Sequence, residues 1–438
     1  MRISERAQRI EPFYVMEVAK AASALAREVA HTDRPVIFLN IGEPDFTAAP
    51  RVAQAAADAI AQGQTQYTQA LGSEALREAI AGWYAQRFGV KVPARRIVVT
   101  AGASAALHLA CLALIERGDE ILMPDPSYPC NRHFVSAAEG TAVMLPTHAA
   151  ERYQLSAAMV QAAWGPNTRG VLLASPSNPT GTSIDPAELR RIHEVVSARG
   201  GVTLIDEIYL GLSHEEAYGQ TALAISDDII SINSFSKYFN MTGWRLGWLV
   251  VPEALVPVIE RLAQNLFICA STVSQHAALA CFEPDSLALY EQRRAEFKAR
   301  RDFVIPELNA MGLTVPVVPD GIRSPMSLNS NSSATAVYGS VTSGAVVWTD
   351  AKGNEVVWRK LGYTSAPSAT PADYLVRTDL VTLFDANPPT AGVKPATRYW
   401  TGSAFMCAAS AAVPKRSRLS RPRIRFASEI VTRVPPRP

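Results

Sequence analysis

The feature that most constrains the fold is a repeated alternation of short apolar runs and amphipathic helical stretches between about Arg51 and Ala280. Short apolar runs bounded by turn residues predict strands, and longer stretches with helical periodicity predict helices. Strands that alternate with helices in this way form a mostly parallel sheet that is covered on both faces. We therefore expect an α/β fold. The predicted strands are Ile97–Thr100, Glu120–Met123, Val171–Ala174, Val202–Ile205, Ile229–Asn233 and Trp248–Val251.

Four stretches have clear helical periodicity. Ala75–Phe88 and Ala187–Arg199 lie within the alternating region, Pro12–Val29 precedes it, and Leu287–Leu308 follows it as a long helix rich in Arg and Glu. At 438 residues the chain can bury a large core and is long enough for two domains.

A lysine that directly follows the segment Ser-Phe-Ser carries the strongest chemical signal. The run from Ser234 to Trp248 reads S-F-S-K-Y-F-N-M-T-G-W-R-L-G-W. The amine of Lys237 can form an imine with an aldehyde, while Ser234, Ser236 and Arg245 can donate hydrogen bonds to a phosphate. Pyridoxal 5′-phosphate (PLP) presents both groups. Taken alone, Lys237 could also be a solvated lysine in a serine-rich turn.

Two other segments add polar groups directly after predicted strands. Val202–Ile205 runs into Asp206-Glu-Ile-Tyr209, and open α/β sheets bind ligands at such strand ends. Asp206 could pair with a pyridinium nitrogen, and Tyr209 could donate to the phenolic oxygen of PLP. Asn178, in Ser-Pro-Ser-Asn-Pro-Thr-Gly, could donate to the same oxygen, although the segment could also be only a turn.

Together these three segments resemble the class I and II aminotransferases, which are PLP enzymes of fold type I related to aspartate aminotransferase. The N-P-T-G, D-E-x-Y and S-x-S-K motifs, with an arginine eight residues after the lysine, occur in the family's order. The resemblance implies that Lys237 is the Schiff-base lysine and Asp206 the pyridinium partner. It also implies that Tyr209 and Asn178 bind the phenolic oxygen. The implied phosphate ligands are Ser234, Ser236 and Arg245.

Other segments extend the resemblance. The backbone N–H groups of Ala103 and Ser104, at a helix start after Ile97–Thr100, would hold the phosphate, although Ser104 could also be an ordinary helix cap. Tyr128 corresponds to the aromatic residue that stacks on the cofactor ring. Tyr67 corresponds to a tyrosine that reaches the phosphate of a neighbouring subunit, which implies a homodimer with a shared active site. The amide of Gly42 would lie against the substrate carboxylate, and Asn178 would also contact the substrate.

The resemblance also implies a domain organisation. Residues 1–45 would form an N-terminal arm and part of a small α/β domain, residues 46–286 a large PLP-binding domain, and residues 287–438 the rest of the small domain. Residues 322–414 depart from the family pattern, because the polar, turn-prone stretch that begins at residue 322 has little capacity for a core. An inserted or replaced module, or an altered reading frame, would account for this.

Two predictions fall within the atypical C-terminal part. Residues 345–358 contain two apolar runs around a Lys-Gly-Asn turn, which predicts a β-hairpin. Arg423, in R-I-R-F-A-S, resembles the family arginine that binds the substrate α-carboxylate. It could equally be a surface arginine of a basic tail.

Composition narrows the class of protein. The apolar fraction of 48% is normal for a globular protein, and a net charge of +2 argues against dependence on nucleic acid or an anionic membrane. The five cysteines lack Cys-x-x-Cys spacing, and neither they nor the histidines suggest a metal site. The first residues lack the apolar core of a signal peptide, and no stretch is apolar enough to span a bilayer. We expect a cytoplasmic protein.

These residues predict a PLP-dependent transaminase with a ping-pong mechanism, in which Lys237 moves a proton between the substrate Cα and the C4′ atom of PLP. The substrates would be an amino acid and a 2-oxo acid whose side chains the sequence does not specify. Two alternatives stay open. One is another fold type I enzyme, namely a lyase, decarboxylase or synthase. The other is a PLP-binding protein with impaired or no turnover, because its C-terminal domain is atypical.

Overall fold

The computed structural model describes residues 1–31, 36, 42–310 and 315–321, together with four short strands between residues 346 and 405. The chain divides into two compact units. The first contains Met1–Phe13, Gly42–Ala299 and Val317–Arg323, and the second contains Tyr14–Ile41, Arg300–Pro316 and Ser324–Pro438. The functional boundaries at 1–45, 46–286 and 287–438 stay a prediction.

A seven-stranded sheet forms the centre of the first unit. Its order is β1-β7-β6-β5-β4-β2-β3, and β7 is antiparallel to both of its neighbours, whereas the other pairs are parallel. The strands are β1 Ile97–Thr100, β2 Glu120–Asp125, β3 Thr141–Pro146, β4 Thr168–Ala174, β5 Val202–Asp206, β6 Ile230–Ser234 and β7 Gly247–Val250. All the predicted strands are confirmed, with ends that differ by at most three residues. β3 was not predicted; it is a sheet edge on which no residue is fully buried.

The described residues contain eleven α-helices, most of them in the first unit. They are α1 Glu5–Arg9, α2 Tyr14–Glu28, α3 Pro50–Ala61, α4 Glu74–Phe88, α5 Ala103–Leu114, α6 Pro129–Ala137, α7 Ala157–Ala163, α8 Pro186–Ser197, α9 Val256–Leu266, α10 Thr272–Leu279 and α11 Pro284–Ala310. The four predicted helices correspond to α2, α4, α8 and α11. Local signals set their ends: Asp185 caps α8 by accepting from the N–H of Ala187 at 2.9 Å, and Gly89 ends α4 with φ 68°.

Three apolar clusters fill the first unit. The largest contains many aromatic rings, among them Trp83, Phe235, Phe239 and Trp248. The indole N–H of Trp248 is satisfied within this cluster, because it donates to the hydroxyl of Tyr84 at 3.1 Å. Since the sheet is buried on both faces, polar groups with a chemical role are confined to the strand ends and the loops that follow them.

In the second unit, strands β8 Val346–Thr349 and β9 Glu355–Trp358 pair in antiparallel register, which confirms the predicted hairpin. A further short antiparallel pair joins β10 Trp400–Thr401 and β11 Ala404–Phe405. Most of the atypical range 322–414 lies outside the described residues. Among the helices that the structure describes, none has the length and apolar character needed to cross a membrane.

Two glycines give opposite predictions for stability. A Cβ on Gly170, in β4, would lie 2.2 Å from the backbone oxygen of Val202 in β5. Gly170→Ala should therefore lower the free energy of unfolding by about 1–3 kcal/mol, because the sheet must shift. A Cβ on Gly82, inside α4, meets no atom within 4 Å, so Gly82→Ala should raise the free energy by about 0.5–1 kcal/mol. Urea unfolding of both variants measures the difference. Equal midpoints would contradict the described packing of β4 on β5.

Candidate active site

The three sequence motifs follow three neighbouring strands at one edge of the sheet. β4, β5 and β6 run parallel, with Ala174 opposite Asp206 and Asp206 opposite Ile232. Their carboxyl ends therefore coincide. The loop with Asn178 follows β4, Tyr209 follows β5, and Lys237 follows β6. Segments that lie far apart in the sequence thus meet at the position where open α/β sheets bind ligands.

Lys237 lies at the centre of this edge. Its Nζ atom is 3.4 Å from the backbone oxygen of Gly42 and 5.6 Å from the ring centroid of Tyr209. Burial raises the pKa of Asp206, and the positive charge of Lys237 partly opposes this rise. The amine therefore lies within electrostatic reach of that carboxylate. The structure therefore brings Lys237, Tyr209, Asp206 and Gly42 together.

Asp206 is a buried carboxylate at the end of β5, with only 6% of its surface exposed. Burial raises its pKa to about 6, although the N–H of Ile208, which donates to Oδ1 at 3.0 Å, and the charge of Lys237 both act in the opposite direction. A buried carboxylate with a raised pKa is suited to pair with a cationic group that enters the pocket.

A small cradle lies at the start of α5. Ala103 is the first residue of the helix, Gly102 precedes it with φ 84°, and no described side chain caps this terminus. The N–H groups of the first helical turn have no partner within a helix and favour an anion. A Cβ on Gly102 would lie 2.7 Å from Nη2 of Arg245, and a Cβ on Gly247 would lie 2.7 Å from the nitrogen of Ala103. Only glycine allows the guanidinium and β7 to approach the helix start this closely.

The serines predicted to bind phosphate lie beside this cradle. Ser234 and Ser236 are both buried, and their Oγ atoms are 2.9 Å apart. Ser234 Oγ is also 3.1 Å from the backbone oxygen of Leu246, next to Arg245. Arg245 itself is exposed and has φ 51°, and its Nη1 donates to the backbone oxygen of Thr242 at 3.1 Å. Hydroxyl, guanidinium and backbone N–H donors therefore converge on one small volume.

Aromatic and amide groups complete the edge. Tyr209 and Asn178 are buried. Burial raises the pKa of Tyr128, and the nearby charges of Tyr209 and Asp206 raise it further, so these side chains lie close together. The ring of Tyr128 packs edge-on against Phe13, with centroids 6.0 Å apart. The position of Tyr128 beside Asp206 and Tyr209 is the one that a ring-stacking residue would need.

Two of the predicted site residues are exposed instead of buried with this cluster. Tyr67 is 79% exposed, and Ser104 is exposed beside Ala103 at the helix start. For Gly42, the described contact to Lys237 involves the carbonyl oxygen, and the role of its amide toward a substrate stays a prediction. Arg423 lies outside the described residues.

Sequence reasoning missed a second buried carboxylate, Glu207, directly after Asp206. It accepts from the hydroxyl of Ser231 at 2.6 Å, the hydroxyl of Thr221 at 2.8 Å and the N–H of Ala222 at 2.7 Å. Burial raises the pKa of Glu207 to about 7 despite these donors. The Asp-Glu pair at a strand end was a signal for two adjacent carboxylates, but the three donors come from distant positions.

Sequence reasoning also missed the segment that covers the loop of Asn178. Asp320 accepts from Nη2 of Arg152 at 2.6 Å and from the N–H of Ser183 at 2.7 Å. A Cβ on Gly181 would lie 2.7 Å from Cβ of Pro319, so this glycine is required for the close packing. No local pattern could have indicated these contacts, because the partners lie more than 130 positions apart in the sequence.

The residues present fit PLP. The cradle at Gly102 and Ala103 with Ser234, Ser236 and Arg245 suits a phosphate, because the helix start has no side-chain cap and two glycines allow the guanidinium and β7 to approach it closely. Lys237 supplies the amine for an aldehyde, and Asp206 supplies a carboxylate for a pyridinium nitrogen.

Comparisons with known proteins agree with this geometry. A family model described as aminotransferase class I and II matches residues 34–351. The chain belongs to this family. It is 39% identical to the valine–pyruvate aminotransferase of Mycobacterium tuberculosis over 314 residues, which cover 71% of this chain and 79% of that protein.

Solved structures give the same result. A crystal structure of an aminotransferase from Mycobacterium tuberculosis matches with a TM-score of 0.69 at 38% identity, covering 74% of this chain and 82% of that chain. The aspartate aminotransferase from Rhizobium meliloti matches with a TM-score of 0.68 at 32% identity, covering 74% and 80%. The predicted fold type I architecture is confirmed, and the chain is a transaminase. The comparisons do not support the lyase, decarboxylase, synthase or turnover-free alternatives.

The raised pKa of Asp206 gives a prediction for pH dependence. An unfolded aspartate titrates near ~3.9, whereas burial raises the pKa of Asp206 in the folded chain to about 6. The folded state therefore holds a proton that the unfolded state has lost, and stability falls as pH rises through that window. In the PLP-free chain, Asp206→Asn should be more stable than the parent at pH 7, by up to about 3 kcal/mol, and equally stable near pH 4.

Urea unfolding at several pH values measures this difference. Asp58→Asn, on the exposed face of α3, is the control and should show no pH-dependent gain. A gain in Asp206→Asn that is the same at pH 4 and pH 7 would rule out the titration of Asp206 as its cause.

Proposed function

We propose that this chain binds PLP through Lys237 and transfers an amino group from an L-amino acid to a 2-oxo acid in a ping-pong cycle. The observation that carries the proposal is the meeting of Lys237, Asp206 and the anion cradle at Gly102 on one sheet edge. We assign the phosphate to Ser234, Ser236 and Arg245, together with the N–H groups of Ala103 and Ser104.

When bound, PLP supplies an aldehyde that carries the amino group between the substrates and a protonated ring that withdraws electrons from the substrate Cα. In this proposal Lys237 has two roles. It would hold the cofactor between turnovers, and its freed amine would accept a proton from the substrate Cα and return it later in the cycle. Tyr209 and Gly42 keep this amine in place, since both already contact it.

The other side chains hold charge and orientation. Asp206 keeps the ring nitrogen protonated, and the ion pair formed there offsets the cost of burying the carboxylate. Asn178 and Tyr209 would donate to the phenolic oxygen of PLP, and Tyr128 would pack on its ring. The buried floor formed by Phe235 and its aromatic neighbours excludes water from beneath Lys237.

The names of the relatives suggest which substrates to test first. The relative with 39% identity is named for valine and pyruvate, and another is named for aspartate. We therefore propose pyruvate as the first amino acceptor and valine as the first donor, with aspartate and 2-oxoglutarate as the comparison pair.

Replacement of Lys237 tests the function directly. Lys237→Ala should lower the rate of alanine formation from pyruvate by a factor of ~10³ or more, because both the attachment point and the proton carrier are lost. The fold should survive, since the side chain is not part of the apolar core. The measurements are turnover with a panel of amino donors and detection of a pyridoxyl group on Lys237 by mass spectrometry after borohydride reduction.

Lys91→Ala, at an exposed lysine, is the matched control and should keep full activity. A Lys237→Ala protein that turns over as fast as the parent would exclude the proposed mechanism, and so would a parent protein without a pyridoxyl adduct at Lys237.

We also propose that the protein is a homodimer in which Tyr67 serves the active site of its partner. Tyr67 is exposed, and so are Leu266, at 53%, and Ile268, at 47%, a few residues before Thr272. The segments are joined, because Thr272 Oγ1 donates to the backbone oxygen of Gln66 at 2.6 Å. Exposed apolar side chains held on neighbouring, ordered segments are typical of an interface between copies of a chain.

Mixing of variants tests this arrangement. Tyr67→Ala and Lys237→Ala should each have low activity. If two chains share each site, a hybrid dimer contains one site with both Lys237 and Tyr67 intact. Random pairing of equal amounts should then restore about a quarter of the parent activity. The measurement is turnover after joint refolding, with each variant refolded alone as the control. Activity equal to the mean of the two separate variants would exclude a shared site.

We further propose a cytoplasmic location. The four cysteines among the described residues, Cys111, Cys130, Cys269 and Cys281, are free thiols. Free, partly buried thiols are the usual state in a reducing compartment. Fractionation of cells that express the chain would test this location.

A further inference from the structure

Helix α11 reaches the loop that carries Lys237 through one arginine. Nη1 of Arg293 donates to Oδ1 of Asn240 at 2.9 Å. The amide group of Asn240 in turn donates through Nδ2 to the backbone oxygen of Lys237 at 2.9 Å. A continuous chain of hydrogen bonds therefore joins α11 to the backbone of the lysine.

Asn240 is suited to fix this turn. It is 3% exposed and has φ 54°, a left-handed conformation that asparagine tolerates better than most residues. Its backbone N–H also donates to the oxygen of Lys237, at 3.2 Å, so the same oxygen receives two hydrogen bonds from one residue. Because the amide oxygen of Asn240 is buried, loss of the donor from Arg293 would leave that oxygen without its described partner.

The same guanidinium also holds the segment that contacts the amine of Lys237. Nη1 of Arg293 lies 2.6 Å from the backbone oxygen of Thr47, and the guanidinium carbon lies 5.0 Å from the ring centroid of Phe46. This segment begins at Gly42, whose oxygen is 3.4 Å from Nζ of Lys237. Arg293 thus fixes both the backbone that carries the lysine and the chain segment opposite its amine.

Neighbouring residues of α11 anchor the surrounding loops. Glu291 accepts from the hydroxyl of Tyr238, the residue after the lysine, at 2.7 Å and from Nη1 of Arg87 at 2.6 Å. Arg294 donates to the backbone oxygen of Ser213 at 2.8 Å, close to the segment that carries Tyr209. All these contacts lie within the first compact unit. The loops around Lys237 are therefore held from outside by one short stretch of helix.

We propose that Arg293 is a positioning residue for Lys237, acting through Asn240 and through the Gly42–Thr47 segment. Arg293 does not touch the reacting atoms. A guanidinium is suited to this task because Nη1 donates to both acceptors while the planar group lies over the ring of Phe46, and a lysine has no planar group to place there. The importance of Lys237 rests on the proposed function, but the position of its amine can be measured without PLP.

The test measures how fast the amine of Lys237 reacts in the PLP-free, full-length chain. Limiting acetic anhydride labels lysines, and mass spectrometry of peptides gives the rate at Lys237 alone. In Arg293→Met the Gly42 segment and the Lys237 turn lose their common anchor, so the amine loses its carbonyl contact. The rate should rise by about threefold to tenfold, the scale of one modest hydrogen bond. Asn240→Ala should have a similar effect, and the double variant should react no faster than the faster single variant.

Two controls separate positioning from general destabilisation. Arg51→Met removes an exposed ion pair with Glu283, just before α11, and should leave the rate unchanged. Leu189→Ala weakens the apolar cluster on α8 without touching this network, and it should lower the unfolding midpoint while leaving the rate at Lys237 unchanged. If Arg293→Met does not fold, Arg293→Lys is measured instead, with a smaller rise expected.

An unchanged rate in the Arg293 variants would overturn the proposal. So would a rise of equal size in Leu189→Ala, or effects of Arg293→Met and Asn240→Ala that multiply as independent changes do. A parent chain that takes up no PLP would contradict the proposed function, and the labelling comparison would still decide whether Arg293 positions Lys237.

Discussion

The parallel pairing of β4, β5 and β6 is the constraint on which the active site depends. Because these strands run in one direction and share a register, the residues that follow them emerge side by side. Burial of the strands on both faces leaves their ends as the place where polar groups can meet a ligand. The amide of Asn178, the carboxylate of Asp206 and the amine of Lys237 come together for this reason, although no two of them are close in the sequence.

Electrostatics explains why this edge is prepared for a charged aromatic ligand. Asp206 and Glu207 are adjacent and buried, and burial raises the pKa of each, to about 6 and about 7. Glu207 is satisfied by three protein donors, whereas the described contacts of Asp206 are one backbone N–H and the charge of Lys237. Glu207 is therefore a structural carboxylate, and Asp206 is the carboxylate that is available to a ligand. Beside Gly102, the start of α5, which has no side-chain cap, and Arg245 supply positive charge.

Much of this could be predicted from the sequence, because the relevant signals are local. Each buried strand is a short apolar run, and each motif begins within a few residues of a strand end, so the strand positions and the placement of Lys237, Asp206 and Asn178 at one sheet edge follow from reading along the chain. The edge strand β3 was missed because it is only partly buried. The contacts of Arg293 and Asp320 could not be predicted, since they join positions that only the tertiary fold brings together. The close approach of Arg245 to Gly102 likewise depends on the antiparallel pairing of β1 with β7.

The contacts of Asp320 have a consequence for the order in which the parts of the chain fold. They close sequence separations of 168 residues to Arg152 and 137 residues to Ser183. Contacts of such long range carry a large loop-closure cost and form slowly compared with neighbouring strand pairs. During synthesis the sheet can assemble before residue 320 has left the ribosome, since domains fold as their sequence emerges. The segment with Asp320 would then pack on the loop that carries Asn178 last. A nascent chain could therefore have a complete sheet while its cofactor pocket is still open.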